Sequence, residues 1–416
     1  MAVTMLSLFL AVLAFFAAAE AGQPLLIAGG SFRQSDGAPA NYLMCWNGSA
    51  WTRLGSGPSV SHSSVYALVE YRHELVVGGF FATAGGVNVS NIARWNSVQW
   101  LPLGEGFPDI VADMVVVNDT LVVAGGQYVA LWNGTQWRQL APFYQQNALA
   151  QTVTVWNGQI VVGGTGFSDG HCLTIWNEAS YTWVSLNVNV SCNEPINDMV
   201  VYHDYLVLAG GFTWIGNVPA NYSAKVNETH IVPLHGVTSS SSDHRVVADL
   251  WHDDLYFADH GRVLHLNESS DEWRQFDSHD FSDGVDDIII NSTSTSTEVF
   301  VAGRFRITSG NPGNLTSRWD AVTSSRGPIG QLSVTGGNVY VLALCQNSCN
   351  GCPAGKYGAT CDASIPVRTA PCMACAKTEW EVGACATATG RARPARNAFR
   401  SITGPTARRA TCVRHT

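Results

Sequence analysis

One segment, Leu75–Leu103, contains every feature of a motif that returns along the chain, and it reads LVVGGFFATAGGVNVSNIARWNSVQWLPL. An apolar run ends in two glycines, a tryptophan–asparagine pair follows, and a second tryptophan leads into a leucine. Short apolar runs bounded by glycine and other turn residues are typical of β-strands. The segment therefore predicts three strands joined by tight turns.

The apolar run with its glycines recurs at intervals of roughly 38 to 49 residues, which is the period of propeller blades. The strong copies are Leu25–Gly30, Leu75–Gly79, Leu121–Gly126, Ile160–Gly164 and Leu206–Gly211, and the weak copies are Leu255–Asp259 and Val299–Gly303. A further apolar run precedes most copies, so one unit has four short strands. A sheet of this size cannot bury both faces alone, but radial stacking buries them.

The number of blades depends on how the chain ends meet. Six units have four strands, and the first, Leu25–Leu54, lacks its first strand. Two further strands are predicted at Gln331–Val334 and Val339–Leu344. If they complete the first unit, seven blades close the ring; because the second of them is then surplus, eight blades stay open as an alternative. The predicted fold is all-β, a β-propeller of four-stranded blades followed by a small disulfide-rich segment.

The repeated residues have structural explanations. Glycine lets backbones approach closely and permits a positive φ, which suits the crowded inner part of a blade. Tryptophan offers a large area to fill the wedge between blades. We therefore expect most tryptophans in the core, with ligand stacking as the alternative.

The N-terminus predicts export. Residues 1–21 are interpreted as a signal peptide, with an apolar core and the small-residue cleavage site Ala19-Glu20-Ala21; an uncleaved anchor is the alternative. No other run is long enough for a transmembrane helix, so none is predicted in the mature chain. The predicted organisation is a propeller at 22–344, a Cys-rich segment at 345–386 and a disordered Arg-rich tail at 387–416. A wrong reading frame in that tail is an open alternative.

Export makes the Asn-x-Ser/Thr sequons candidate glycosylation sites. They begin at Asn47, Asn88, Asn118, Asn133, Asn189, Asn221, Asn227, Asn267, Asn291 and Asn314. It also makes disulfides the expected state of clustered cysteines. The candidates are Cys172 with Cys192 in the propeller, and then Cys345, Cys349, Cys352, Cys361, Cys372, Cys375 and Cys385, whose pairing the spacing does not give. Cys45 is predicted to be a buried free thiol.

Charge and motifs exclude several function classes. Seven of the 23 basic residues follow residue 390, whereas all 32 acidic residues precede it, so the propeller is acidic and nucleic acid is not an expected partner. No HExxH, Gly-x-Ser-x-Gly or phosphate-loop motif occurs. We therefore predict no catalytic residue, no cofactor and no metal site. Asp283–Asp287 could offer oxygen ligands to Ca²⁺, but it lacks EF-hand spacing and is interpreted as a solvated turn leading into a strand.

The repeat resembles known families. An apolar run with Gly-Gly, an aromatic residue with Asn or Asp, and Trp-x-x-Leu is similar to the kelch repeat. The additional Ala84-Gly85-Gly86 and Asn91–Trp95 make Leu75–Leu103 similar to Rax2-like cortical polarity-marker repeats. Cys352–Cys361 looks like part of an EGF-like module, or of an ephrin-receptor-like Cys-rich repeat. These resemblances imply an extracytoplasmic β-propeller and name no ligand.

The expected function is a secreted or cell-surface interaction module that binds extracellular protein or glycan through propeller loops. Two alternatives remain: an extracellular carbohydrate-active enzyme or oxidase at the propeller axis, and an ectodomain fragment of a membrane receptor. Because the scaffold accounts for the repeated residues, the site should lie in the loops that do not repeat.

Overall fold

A computed structural model describes residues 25–35, 38–46, 50–59, 63–143, 145, 147–167, 170–237, 245–249, 254–259, 262–267, 269–276, 285–292, 297–303, 316–320, 325–327, 334–335, 339–345, 356–357 and 363–364. These residues form strands and turns without a helix. No helix among them is long and apolar enough to cross a membrane. The predicted all-β propeller is confirmed.

Among the described residues, seven four-stranded antiparallel sheets form the ring, and we call them blades 1 to 7 in chain order. Within each blade the strands are named inner, second, third and outer. The inner strands are Val339–Cys345 (blade 1), Ser64–Tyr71, Asp113–Val117, Leu149–Trp156, Ile196–Tyr202, Arg245–Asp249 and Val285–Ser292. The second strands are Leu25–Gly30, Glu74–Phe80, Thr120–Gly125, Gln159–Thr165, Tyr205–Gly210, Asp254–Asp259 and Thr297–Gly303.

The remaining strands complete the blades and the loops. The third strands are Leu43–Trp46, Ile92–Trp95, Tyr128–Trp132, Leu173–Asn177, Ser223–Val226, Arg262–Asn267 and Thr316–Asp320. The outer strands are Trp51–Arg53, Trp100–Pro102, Trp137–Gln139, Thr182–Val184, Ile231–Pro233, Glu272–Gln275 and Ser325–Gly327. Short strands in the loops are Gln34–Ser35, Ala38–Pro39, Pro58–Ser59, Thr83–Ala84, Val87–Asn88, Trp214–Ile215, Val218–Pro219 and Val334–Thr335, and Lys356–Tyr357 pairs with Ala363–Ser364.

The ring closes through blade 1, which combines both ends of the propeller. Val339–Cys345 pairs with Leu25–Gly30, and the inner strand of each blade contacts the inner strands of its two neighbours around the whole ring. The prediction that the second C-terminal strand is surplus is wrong: Val339–Cys345 enters blade 1, and Val334–Thr335, at the end of the first predicted strand, pairs with Gln34–Ser35 in a small loop sheet.

In blades 1, 2, 4, 5 and 7, a glycine at or next to the end of the second strand faces a bulge in the inner strand. Tyr66 is the extra residue between Val65 and Ala67, which pair with Gly79 and Gly78. A Cβ on Gly79 would collide with the carbonyl oxygen of Ser64. Gly79 does not have a positive φ, so close approach, and not the predicted positive φ, explains the glycine.

The tryptophans pair across the third and outer strands and join the blades. Trp132 lies opposite Trp137 with ring centroids 5.1 Å apart, and the indole N–H of Trp137 donates to the carbonyl of Leu103 in blade 2 at 2.8 Å. Equivalent cross-strand pairs are Trp46–Trp51, Trp95–Trp100 and Trp176–Trp183. The predicted core role of these tryptophans is confirmed, since the indole rings pack against each other within a blade and contact the neighbouring blade.

The asparagine after the first tryptophan shapes the next turn. Asn133 Oδ1 accepts the backbone N–H groups of Thr135 and Gln136. Asn96, Asn177, Asn227 and Asn267 accept equivalent bonds. Asparagine side chains stabilise turns in this way, so the repeated Asn is needed whether or not it starts a sequon.

Candidate binding site at the bulged end of the ring

The two ends of the ring differ in what they present. Each inner strand begins beside the end of the second strand, as Ser64 pairs with Phe80, and finishes in a tight hairpin, as Tyr71 pairs with Glu74. We call the first of these the bulged end and the second the hairpin end. The bulged end also bears the loops between second and third strands and the connections from blade to blade.

Exposed apolar side chains concentrate at the bulged end. Tyr66 is 38% exposed, Phe80 46%, Ile110 40% and Leu149 45%, and all four belong to blades 2 to 4 where these blades meet the axis. Trp214, in the blade 5 loop, is also exposed. Val98 and Tyr181 are exposed at the hairpin end but lie in separate turns. Contiguous exposed apolar surface marks interaction sites, whereas scattered residues need no explanation.

Backbone hydrogen bonds between blades hold this surface together. The N–H of Val111 donates to the carbonyl of Gly79 at 3.1 Å, which brings Phe80 and Ile110 side by side. The N–H of Ala150 donates to the carbonyl of Gly126 at 2.8 Å, which places Leu149 against blade 3. Because both bonds lie in the rigid inner part of the ring, these side chains are fixed relative to one another.

Tyr66 extends the surface to blade 1. Its ring stacks on Tyr340, with centroids 5.6 Å apart and planes 23° apart. Ser31 Oγ donates to the Tyr340 hydroxyl at 3.2 Å. Both tyrosines are extra residues of bulges, and a bulge re-aims its side chain. We call Tyr340, Tyr66, Phe80, Ile110 and Leu149 the axial arc.

The bulges of the other blades carry polar residues. Gln151, Asn197 and Asp286 hold the bulge positions of blades 4, 5 and 7. Gln151 Oε1 is buried without a hydrogen-bond partner, and Asp286 is 7% exposed. The bulge residue is therefore a tyrosine in blades 1 and 2 and a polar residue in blades 4, 5 and 7.

Aspartates that follow the bulges connect neighbouring inner strands. Asp113, at the equivalent position of blade 3, accepts the N–H of Val153 at 2.8 Å and the hydroxyl of Thr152 at 3.0 Å, both in blade 4. Asp287 accepts the N–H of Leu342 in blade 1 at 2.6 Å. Burial raises the pKa of Asp113 to about 6, and the charge of Asp198 adds to the rise. These carboxylates therefore serve the ring itself by satisfying inner-strand N–H groups.

This placement corrects part of the interpretation of Asp283–Asp287 as a solvated turn that leads into a strand: the strand is present from Val285 onward, but Asp286 is not solvated. Asp286 and Asp287 lie in the inner strand of blade 7, and Asp286 is buried. Asp283 and Gly284 lie outside the described residues. Within the described ranges, no group of three His, Cys, Asp or Glu side chains could hold a metal ion.

The sequon asparagines lie on both ends. Asn118, Asn133, Asn227, Asn267 and Asn291 lie at the hairpin end, and Asn88, Asn189 and Asn221 at the bulged end. All are exposed except Asn227, Asn267 and Asn291, which are half-buried; Nδ2 of Asn291 donates to Glu298 at 3.0 Å. Asn47 and Asn314 lie outside the described residues. Glycosylation stays a prediction.

The cysteines confirm one prediction and correct another. Cys172 and Cys192 form the predicted disulfide. Cys45 is disulfide-bonded, so the prediction of a free thiol is wrong: the sequence neighbourhood of Cys45 offered no partner cysteine. Cys345 is buried at the end of the inner strand of blade 1. The candidates Cys349, Cys352, Cys361, Cys372, Cys375 and Cys385 lie outside the described residues.

Comparison with known proteins gives limited likeness. No protein-family model matches the sequence, and no curated protein matches it. Two solved structures that resemble the fold are the extracellular domain of a putative one component system from B. thetaiotaomicron (12% identity, TM-score 0.48) and that of a putative hybrid two component system from the same organism (13%, 0.47). Each match covers 68% of this chain and 37% of the other. The propeller part of the sequence resemblance is confirmed by the fold, whereas its kelch, Rax2-like and EGF-like parts stay predictions.

Proposed function

We propose that the protein is a secreted or cell-surface interaction module that binds an extracellular protein or glycan through the axial arc. The observation that carries this proposal is the clustering of Tyr66, Phe80, Ile110 and Leu149, each more than one-third exposed, at one end of the ring. Such side chains lose hydration when a partner covers them, and aromatic residues dominate binding energy at interfaces. The exposed aromatic rings of the axial arc could also stack on the rings of a bound sugar.

The repeated residues support this choice by exclusion. The glycines, paired tryptophans and turn asparagines have roles in the scaffold. We therefore expect the residues that bind a partner at positions that do not repeat. Phe80 is such a position, since Gly126, Thr165 and Gly211 follow the corresponding glycines in blades 3 to 5. The proposed extracellular location is supported by the N-terminal segment and by the Cys172–Cys192 disulfide, since disulfides persist in oxidising compartments.

Binding, and not catalysis at the axis, is the function we propose. A buried carboxyl with a raised pKa can indicate an acid catalyst, and Asp113 fits that description. However, Asp113 Oδ2 accepts two hydrogen bonds from blade 4 and Oδ1 accepts the N–H of Met114. A carboxyl so engaged is explained by the ring without a substrate.

The test uses the secreted chain on arrays of glycans and extracellular proteins, followed by affinity measurement on the ligand found. Phe80→Ser and Leu149→Ala remove arc side chains, and Val98→Ala and Tyr181→Ser are matched controls of similar exposure at the hairpin end; none of the four changes creates an Asn-x-Ser/Thr sequon. We expect the arc variants to weaken binding about 30-fold, equivalent to roughly 2 kcal/mol, with controls unchanged. Equal losses in arc and control variants would reject the site. Absence of any array ligand together with turnover of a sugar would reject the binding function.

A further inference from the structure

A cavity of about 300 Å³ opens between blades 5 and 6 at the hairpin end. It is distant in the fold from the axial arc and independent of the function proposed for it. The cavity is lined by Tyr202, His203, Tyr205, Val207, Lys225 and Leu266.

The cavity lies where the repeat elsewhere has an indole ring. Leu266 lies opposite Trp273 of the outer strand. In blades 1 to 4 the residue opposite that outer tryptophan is itself a tryptophan, for example Trp132 opposite Trp137. Leu266 is therefore the blade 6 equivalent of Trp132, with a much smaller side chain.

The neighbours of Trp132 show what its indole fills. Trp132 packs in one cluster with Tyr71 and Val76 of blade 2. The equivalents of these two residues in blade 5 are Tyr202 and Val207, which pack with Leu266. Because both walls are kept and the indole is missing, the space it would occupy is left between the blades.

A second lost tryptophan shows that such a vacancy can be filled. Val226 holds the same position in blade 5, but Trp156 of blade 4 replaces the wall tyrosine and packs in the same cluster. At the contact between blades 5 and 6, the position of Trp156 is held by Tyr202, whose side chain is smaller and leaves the space open. The bridging arginine is also missing there: Arg72 reaches the Asn133 carbonyl across blades 2 and 3 at 2.9 Å, and its blade 5 equivalent is His203.

The chemistry of the walls selects a neutral planar ring. Tyr202 and Tyr205 supply aromatic surface, and Val207 and Leu266 supply aliphatic surface. The Lys225 ammonium forms an ion pair with Asp271 and lies 5.3 Å from the centre of the Tyr205 ring, so its charge is already compensated. A carboxylate ligand would have to compete with Asp271, whereas an uncharged ring would not. Apolar cavities left by missing side chains bind small aromatic molecules.

We propose that this cavity is a binding site for a small uncharged aromatic molecule of about the size of indole. The ring takes the place of the tryptophan that the repeat lost at Leu266, between Tyr202 and Val207. Its polar N–H or O–H group faces the cavity mouth, where Tyr205, His203 and solvent can accept it.

The experiment titrates indole into the full secreted chain and follows binding by ligand-observed NMR and calorimetry. We expect saturable binding with a dissociation constant of about 1 mM or tighter. Leu266→Trp should weaken it at least tenfold and raise the thermal midpoint, because the side chain restores the repeat. Leu266→Phe is the second filling variant in case the larger ring is not accommodated, and Tyr181→Ser, a change at an exposed turn residue outside both the cavity and the axial arc, is the control that should bind as the parent does.

Indole-3-carboxylate tests the stated chemistry, and we expect it to bind at least tenfold more weakly than indole. The proposal is wrong if the parent chain does not bind indole saturably, or if both filling variants bind it as tightly as the parent. Tighter binding of the carboxylate would overturn the neutral-ring assignment.

Discussion

Asp113 should make the stability of the propeller depend on pH in a direction opposite to that of a typical ion-paired carboxyl. Asp113 is half-buried, with its carboxyl group between blades 3 and 4, and desolvation raises its pKa from 3.8 to about 6 in the folded chain. Between those values the folded chain binds more protons than the unfolded chain. Since the slope of unfolding free energy with pH follows the protons bound by the unfolded minus the folded state, this group lowers stability as pH rises from about 4 to about 6.

The size follows from the two pKa values. A tenfold change in proton affinity corresponds to about 1.4 kcal/mol, so the rise from 3.8 to about 6 corresponds to roughly 3 kcal/mol. The hydrogen bonds from Val153, Met114 and Thr152 lower the pKa and are already contained in that value. The difference is fully developed above pH 6.

The assay is urea unfolding of the parent chain and of Asp113→Asn at several pH values from 4 to 7.5. The variant loses hydrogen bonds at every pH, so its absolute stability is not the quantity that decides. We expect the parent's unfolding free energy to fall relative to the variant's by up to about 3 kcal/mol across this range. Parallel pH profiles for the two proteins would refute the argument, and so would a relative rise.

Three further changes test the scaffold by thermal and urea unfolding. Gly79→Ala should lower the free energy of unfolding by about 1–3 kcal/mol, because the added Cβ meets the carbonyl of the inner strand. Gly86→Ala should lower it by only about 1 kcal/mol, since φ is +80° there and nothing lies near the added Cβ. Equal losses would contradict the bulge argument. Trp137→Phe keeps an aromatic ring but loses the hydrogen bond to blade 2, so the free energy of unfolding should fall by roughly 1–2 kcal/mol. Trp137→Ala should lower it by about 3–5 kcal/mol. An unchanged stability of the Phe variant would show that the hydrogen bond contributes nothing. Replacing both Cys172 and Cys192 by Ala opens a link across 20 residues and should cost about 3 kcal/mol, and an unchanged midpoint would show that the link does not constrain the unfolded chain.

The propeller could be predicted because its determinants are local and repeated. Gly79 and the Trp95–Trp100 pair recur in sequence at blade spacing, and each recurs for a reason internal to its blade. Ring closure was harder, because pairing of Val339–Cys345 with Leu25–Gly30 joins strands from opposite ends of the chain. The sequence led us to treat the second of the two C-terminal runs as surplus, whereas its pairing with the strand at the other end of the propeller places it in blade 1.

The axial arc could not be predicted, although its signal was present. Tyr66 lies in an apolar run that indicates an ordinary half-buried strand, and a bulge adds one residue without altering the composition that marks a strand. Its contact with Tyr340 joins residues of the first and last parts of the propeller. The available signal was Phe80, an aromatic side chain directly after a glycine whose counterparts in blades 3 to 5 are followed by glycine or threonine.

Departures from the repeat have different consequences depending on the neighbouring blade. Val226 and Leu266 both replace a tryptophan, and sequence alone ranks the two changes as equal losses of core. Trp156 of blade 4 packs against Val226, so an indole ring still fills this contact, although it comes from the preceding blade. Tyr202 and His203 stand beside the second, and a cavity follows. A missing repeat residue therefore indicates a binding site only where the facing residue of the preceding blade is not a larger side chain that fills the space. Both blades of the contact must be considered to decide this.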